Sequence, residues 1–125
     1  MRLLLDSHIL VWLMEGDTRL TPEMRTLIGN ATKVFASTAS IWELSIKASL
    51  GKLRLDVERL CSLLDGAGID ELQITRQHVM TVTRLPYLHR DPFDRLLIAQ
   101  AISEPMRLLT VNSQLKAYSE LVITA

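Results

Sequence analysis

The chain has 125 residues, with 14 basic and 14 acidic side chains and therefore no net charge. That length favours one domain over residues 1–125 and suffices to bury a core without staples, while 48% apolar residues exclude a disordered chain. Balanced charge excludes a whole-molecule electrostatic footprint for nucleic acid or membrane, so any such contact needs a local basic patch.

Leu3-Leu4-Leu5 is a short continuous apolar run, the pattern of a strand buried on both faces. Asp6 ends it, and a helix is expected from Ser7 to Met14, broken by Gly16-Asp17. Thr21-Pro22-Glu23 reads as a helix start, with a cap, a proline at the first position and an acid near the positive end, and Gly29-Asn30 stops that helix. Lys33 to Ala36 is a second strand, followed by a helix from about Ser40 to Leu50 that Gly51 ends. Asp56 to Leu64 is another helix, closed by Gly66 and Gly68. Glu71 to Ile74 is a third strand, and Thr75 caps a helix to about Leu85. Asp91-Pro92 opens a helix to about Ser103; Arg107 to Thr110 is a fourth strand, Asn112 to Ala117 a short helix, and Leu121 to Ile123 a fifth strand.

Strands alternate with helices throughout, which predicts an α/β sandwich with a mostly parallel sheet and helices on both faces. Asp6 and His8 interrupt the opening apolar run and no small-residue cleavage site follows, so no signal peptide is expected. No stretch approaches the length needed to span a bilayer. Cys61 is the single cysteine, which excludes an internal disulfide or a cysteine-based zinc site and favours a reducing cytoplasm. It lies in the apolar pattern of its helix and is expected in the core.

Ligands of open parallel sheets bind at the carboxyl ends of the strands. The first strand ends in Asp6 and the fourth near Thr110 and Asn112, so polar groups from both are expected at one crevice. Asp6 also suits an ordinary helix cap. Glu43 lies in the apolar stretch Ile41-Trp42-Glu43-Leu44, where an acid is costly to bury unless paired or bound to metal. It also fits a capping box with Ser40, or an ion pair with Lys47 one turn on. In His89-Arg90-Asp91-Pro92-Phe93-Asp94-Arg95, Asp91 is placed to cap a helix, whereas Asp94 shares a face with Leu97, Ile98 and Ala101 and needs a partner. Converging carboxylates repel, and a hard divalent cation resolves the repulsion; magnesium prefers oxygen ligands and suits an open carboxylate site. No serine–histidine or cysteine–histidine pair competes strongly, and His8, His78 and His89 do not form a metal-spaced set, though His8 and His89 are near enough in the pattern to flank the pocket.

These residues resemble the PIN-domain family, in particular the VapC-type toxins of bacterial toxin–antitoxin modules, over essentially the whole chain. The resemblance is carried by Leu4-Leu5-Asp6-Ser7-His8, by Ser37-Thr38-Ala39-Ser40-Ile41-Trp42-Glu43, by Lys47-Ala48-Ser49-Leu50-Gly51-Lys52-Leu53, by His89-Arg90-Asp91-Pro92-Phe93-Asp94-Arg95-Leu96-Leu97-Ile98-Ala99-Gln100-Ala101, and by Thr110 through Tyr118. It implies a PIN-like three-layer sandwich around a mostly parallel five-stranded sheet, and magnesium- or manganese-dependent cleavage of RNA. Asp6, Glu43 and Asp94 match the family's first three acidic positions, as catalytic and metal-holding residues; Ser7, Asp91, Thr110 and Asn112 are accessory. The resemblance further implies a small antitoxin partner whose tail enters the groove, a homodimer, and promoter DNA bound only through the antitoxin.

The chain departs from the family at the fourth acidic position, where Asn112 stands. An amide carries no charge, so weaker binding of a second metal is expected; Asn112 also suits a plain helix cap. Basic residues flank the acids, with Lys47, Lys52 and Arg54 on one side and Arg90 and Arg95 on the other, and Lys47, Arg90 and Arg95 are the candidates to hold RNA phosphates. Ile9, Leu10, Trp12, Leu13 and Met14 divide between core and an antitoxin surface, with more expected in the core. The competing reading is a catalytically weakened PIN domain that binds RNA or antitoxin without cutting. A phosphatase or receiver-like domain with Asp6 as phospho-acceptor ranks third and leaves Glu43 without a role.

Overall fold

Leu3, Leu4 and Leu5 are all fully buried, and they alternate between two separate cores. They belong to β1 (Arg2–Leu5), the central strand of the sheet. The computed structural model describes residues 1–124. Leu3 and Leu5 face a core shared with Ile9, Leu10, Leu44, Leu60 and Leu64, whereas Leu4 faces one shared with Leu97, Ile98, Leu108 and Leu115. A continuous leucine run is thus the signature of a strand with helices packed on both sides.

The elements are β1, α1 (Ser7–Glu15), α2 (Pro22–Asn30), β2 (Lys33–Ser37), α3 (Thr38–Ser49), α4 (Val57–Gly66), β3 (Asp70–Leu72), α5 (Arg76–Val82), α6 (Pro92–Ser103), β4 (Arg107–Thr110), a 3-10 turn (Ser113–Ala117) and β5 (Val122–Thr124). The five strands are parallel, in the order β3-β2-β1-β4-β5. The expected three-layer α/β sandwich is what the chain forms. No helix among the described residues is long and apolar enough to cross a membrane.

Capping side chains set the helix starts. Asp6, Thr21, Asp56, Thr75 and Asp91 each accept a bond from a backbone N–H of the first turn. Gly16 ends α1 in the left-handed region at φ 66°, where its N–H reaches the Trp12 carbonyl and a residue with a Cβ would be strained.

Several boundaries differ from the sequence reading; α5, for one, ends at Val82 and not near Leu85. Helix α3 starts at Thr38 because the Ser37 hydroxyl caps Ala39 N–H; Ser40 lies inside the helix, fully buried, so the Ser40–Glu43 capping box does not form. Strand β3 spans Asp70–Leu72 because its partner β2 ends at Ser37, opposite Leu72. Strand β5 is shifted one residue on by its pairing of Val122 with Leu108 and Thr124 with Thr110. Of the divided apolar set, Ile9 and Leu10 are core, while Trp12, Leu13 and Met14 are partly buried against it.

Candidate active site

Strand order reverses between β1 and β4: the chain runs outward through β2 and β3 on one side and through β5 on the other. A crevice opens at the carboxyl ends of strands at such a switch point. Asp6 leaves β1 there with its carboxylate almost wholly buried. Oδ1 accepts from Ile9 N–H at 2.9 Å and so caps α1, while Oδ2 accepts the Thr110 hydroxyl at 2.6 Å and Val111 N–H at 3.0 Å. The cap and the crevice readings of Asp6 are therefore both met by one side chain. Thr110 in turn accepts from Asn112 N–H at 3.1 Å.

Asn112 links this end of β4 to α6. Its Oδ1 accepts Gln114 N–H at 3.1 Å and caps the 3-10 turn, and its Nδ2 donates to Asp94 Oδ2 at 3.4 Å. Asp94 Oδ2 also lies 3.0 Å from His89 Nε2. Asp91 caps α6 through Oδ1, which accepts from Phe93 and Asp94 N–H. Among the described residues, His89, Asp91 and Asp94 form the one group of three such donors within 4.8 Å of one another. Burial pushes the Asp94 carboxyl above its ordinary range and Asp91 adds repulsion, while hydrogen bonds from His89 and Asn112 and the His89 charge oppose the rise.

Glu43 is buried on α3 and pairs with Lys47 at 3.2 Å, the ion pair open as an alternative in the sequence. Glu43 and Lys47 line a depression together with Arg90, Asp91 and Phe93. Lys47 also borders a second depression, shared with Ser7, His8, Trp12 and Lys52. Lys47 thus joins the residue following Asp6 to the α3–α6 side of the mouth. Asp6, Glu43 and Asp94 do not themselves form a group within 4.8 Å; the tight cluster lies at the start of α6.

Arg95 is not at the mouth. It is buried, with Nη1 donating to the Pro86 carbonyl and the Tyr118 hydroxyl, each at 3.0 Å, and Nη2 donating to the Val82 carbonyl at 3.3 Å. Its guanidinium stacks over Tyr87 at 4.8 Å, so it fastens the segment between α5 and α6. Arg90 is exposed and borders the mouth. Cys61 is half-buried, short of the full burial expected. Burial, with Asp65 and Glu71 adding, raises its thiol above the ordinary value, the opposite of an activated nucleophile.

The sequence reading set His89 at the flank of the pocket and not within the cluster itself. His89, Asp91 and Asp94 straddle a helix start, so the usual helical ligand spacings do not reveal them; the turn that Asp91 and Pro92 impose does.

The PIN-domain family model matches residues 3–121. The chain belongs to the PIN-domain family. Ribonuclease VapC22 of Mycobacterium tuberculosis (strain ATCC 25618 / H37Rv) is 30% identical to this PIN domain over 117 residues, covering 92% of the chain and 90% of that relative. Among solved structures, VapBC2 of Rickettsia felis bound to a DNA fragment from its promoter superposes with a TM-score of 0.71 at 19% identity, covering 100% of this chain and 98% of the other. A toxin–antitoxin complex from Klebsiella pneumoniae superposes with a TM-score of 0.69 at 18% identity, covering 97% and 95%. At those identities the superpositions speak for the fold. The carboxylate-lined mouth of the PIN domain lies at the switch point of that fold.

Proposed function

We propose that this PIN domain is a divalent-metal-dependent ribonuclease, the toxin of a toxin–antitoxin pair. The observation that carries the reading is the cluster of His89, Asp91 and Asp94, linked through Asn112 and Thr110 to Asp6 at the sheet's switch point. The ribonuclease relative supports the activity, and toxin–antitoxin complexes among the structural neighbours support a small antitoxin as partner.

The donors fit a hard divalent cation. Asp91 and Asp94 offer oxygen, Asp94 is held against its own repulsion with Asp91, and the mouth is open. Magnesium or manganese is the candidate ion; Asp6, Asp94 and Glu43 would hold it, with Asp91, Asn112, Thr110 and Ser7 assisting. When bound, such an ion polarises a phosphodiester and lowers the pKa of an attacking water. The chain's residues do the rest. Thr110 and Val111 hold the Asp6 carboxylate in one orientation, and Lys47 and Arg90 border the mouth where RNA phosphates pass.

Incubation of the full chain with structured RNAs, with and without magnesium or manganese, tests this. Cleavage that requires the ion and is lost in Asp6→Asn is expected. Cleavage unchanged in Asp6→Asn would sink the assignment. One observation favours a second reading, a weakened PIN domain that binds without cutting: at the fourth acidic position, Asn112 donates a hydrogen bond to Asp94 where a carboxylate would add charge. Binding without turnover, with cleavage gained in Asn112→Asp, would mark that case.

A further inference from the structure

The chain has two tryptophans, and they lie in different settings. Trp12 packs against the core, with the Arg19 guanidinium over its ring at 5.0 Å and His8 against it at 6.3 Å. Trp42 is 57% exposed. It meets Phe93 at 5.0 Å between ring centroids and 74° between planes. A T-shaped contact of this kind uses at most one face of each ring. It therefore steadies the indole and leaves a face of it open.

A lone exposed aromatic is ordinary on a protein surface, so the surroundings decide what it does. Trp42 directly precedes Glu43 on α3, and Phe93 lies in the first turn of α6 between Asp91 and Asp94. The aromatic pair thus bridges the two helices that carry these acids. Phe93 lines the depression at the mouth together with Ile46, Lys47 and Arg90. Lys47 is engaged by Glu43 at 3.2 Å, and Asp91 Oδ1 is engaged by the first N–H groups of α6, whereas the Arg90 side chain is exposed. An open aromatic face with an exposed guanidinium nearby complements an unpaired nucleotide, which offers a flat base to the ring and a phosphate to the cation. A duplex turns its base faces to one another and has none to offer.

We infer that Trp42, backed by Phe93, is a stacking platform for an unpaired base of single-stranded RNA, so that the chain selects single strands over duplex at the rim of the mouth. The inference rests on the ribonuclease reading of that mouth. Every base has a π-face, so the platform positions a strand without reading its sequence. Arg90 supplies the charge that holds the backbone, and the indole supplies the demand that a base be free.

The probes are a short fluorescein-labelled single strand of RNA and the same strand annealed to its complement, added to the full chain in chelator at low salt, where the metal-dependent reading permits no cleavage. Anisotropy reads the affinity. Trp42→Ala is expected to bind the single strand about five- to 150-fold more weakly, the range for a base–aromatic stack removed by alanine. Its binding of the duplex should not change. The slope of log affinity against log salt should not change either, because an indole neutralises no phosphate. Trp42→Phe should keep most of the affinity. In Trp12→Phe, where Trp42 is the remaining tryptophan, the single strand should quench the indole fluorescence. Should the alanine variant fail to fold, an unquenched Trp42 at saturating single strand overturns the platform. Single-strand binding equal in Trp42→Ala and wild type, or a loss shared equally by the duplex, overturns it and leaves the ribonuclease reading standing. Sedimentation supplies one more outcome: a wild-type dimer that Trp42→Ala splits gives this face to a second copy of the chain and overturns the platform. A wild type that binds neither strand nor duplex overturns the platform and the RNA reading together.

Discussion

The Thr110 hydroxyl donates to Asp6 Oδ2 at 2.6 Å, across the one boundary in the sheet where strand order reverses. Both residues are buried, so the bond joins the ends of β1 and β4 out of reach of water. Thr110→Val keeps the shape and removes the donor. It leaves Oδ2 with Val111 N–H alone and takes the acceptor from Asn112 N–H. A hydrogen bond to a charged group contributes about 1.5–3 kcal/mol, so a loss of that size is expected in urea unfolding. Thr110→Ser should recover most of it. A valine variant as stable as wild type would show that the contact carries no weight.

Asp94 makes the stability of the mouth depend on pH in an unusual direction. Burial and Asp91 raise its carboxyl above the ordinary value of 3.8, so the folded chain keeps the proton to higher pH than the unfolded chain does. Its contribution is fully present below 3.8 and is lost as pH rises through the folded value. At neutral pH the ionised carboxylate therefore costs stability. Asp94→Asn is expected to raise the thermal midpoint by a few degrees in chelator at neutral pH, with the gain vanishing below pH 3.8. Manganese or magnesium should stabilise wild type and reverse the order of the two proteins, by linkage to binding. Melting curves across pH with and without the ion check both signs; a difference independent of pH would remove burial and Asp91 repulsion as its cause.

Arg95 is a structural cation, and its substitution should separate folding from RNA contact. Three carbonyl and hydroxyl acceptors surround its guanidinium, and Tyr87 covers one face. Lysine cannot reproduce that fork. Arg95→Lys is expected to cost about 1.5–3 kcal/mol in unfolding while leaving the salt dependence of RNA binding unchanged. Arg90→Ala should do the reverse, reducing the slope of log affinity against log salt by about 0.7 for a single strand with little change in stability. A slope that falls in Arg95→Lys would return Arg95 to the binding surface.

The fold was legible because local chemistry and global pattern agree. A leucine run ending in an aspartate reads as a doubly buried strand with a polar group at its mouth, and Leu3, Leu4, Leu5 and Asp6 are so arranged. Thr21-Pro22 and Asp91-Pro92 mark helix starts because cap and proline act within a single turn. Where tertiary pairing decides, sequence reasoning drifted: the end of β3 is fixed by β2, since Leu72 pairs with Ser37, 35 residues earlier and outside any local window. Arg95 misled for a related reason. A basic residue next to an acid looks like a phosphate contact, and nothing local says that Val82 and Pro86 will turn their carbonyls toward it. Ser40 was credited with a cap that Ser37 provides, since both hydroxyls precede the same apolar helix and only the observed φ and ψ of Ser37 decide between them.

Asn112 is the position at which stability and metal binding should trade against each other. As an amide it does two things: it caps the 3-10 turn through Oδ1 and donates to Asp94 through Nδ2. Asn112→Asp keeps the first, since a carboxylate also caps well. It abolishes the second and sets a third carboxylate beside Asp91 and Asp94. In chelator, the lost donor and the added repulsion are expected to cost about 1–2 kcal/mol and to push the Asp94 carboxyl higher still. With manganese, the same charge becomes a ligand, and binding energy that the folded state alone gains should more than offset the loss. The variant is thus expected to melt below wild type in chelator and above it at saturating manganese, with the crossing point set by the ion concentration. Cleavage should rise with it if the amide is what limits turnover. A variant that melts lower under both conditions would show that the fourth position does not face the ion, and would place the working donors on α6 and its approach instead.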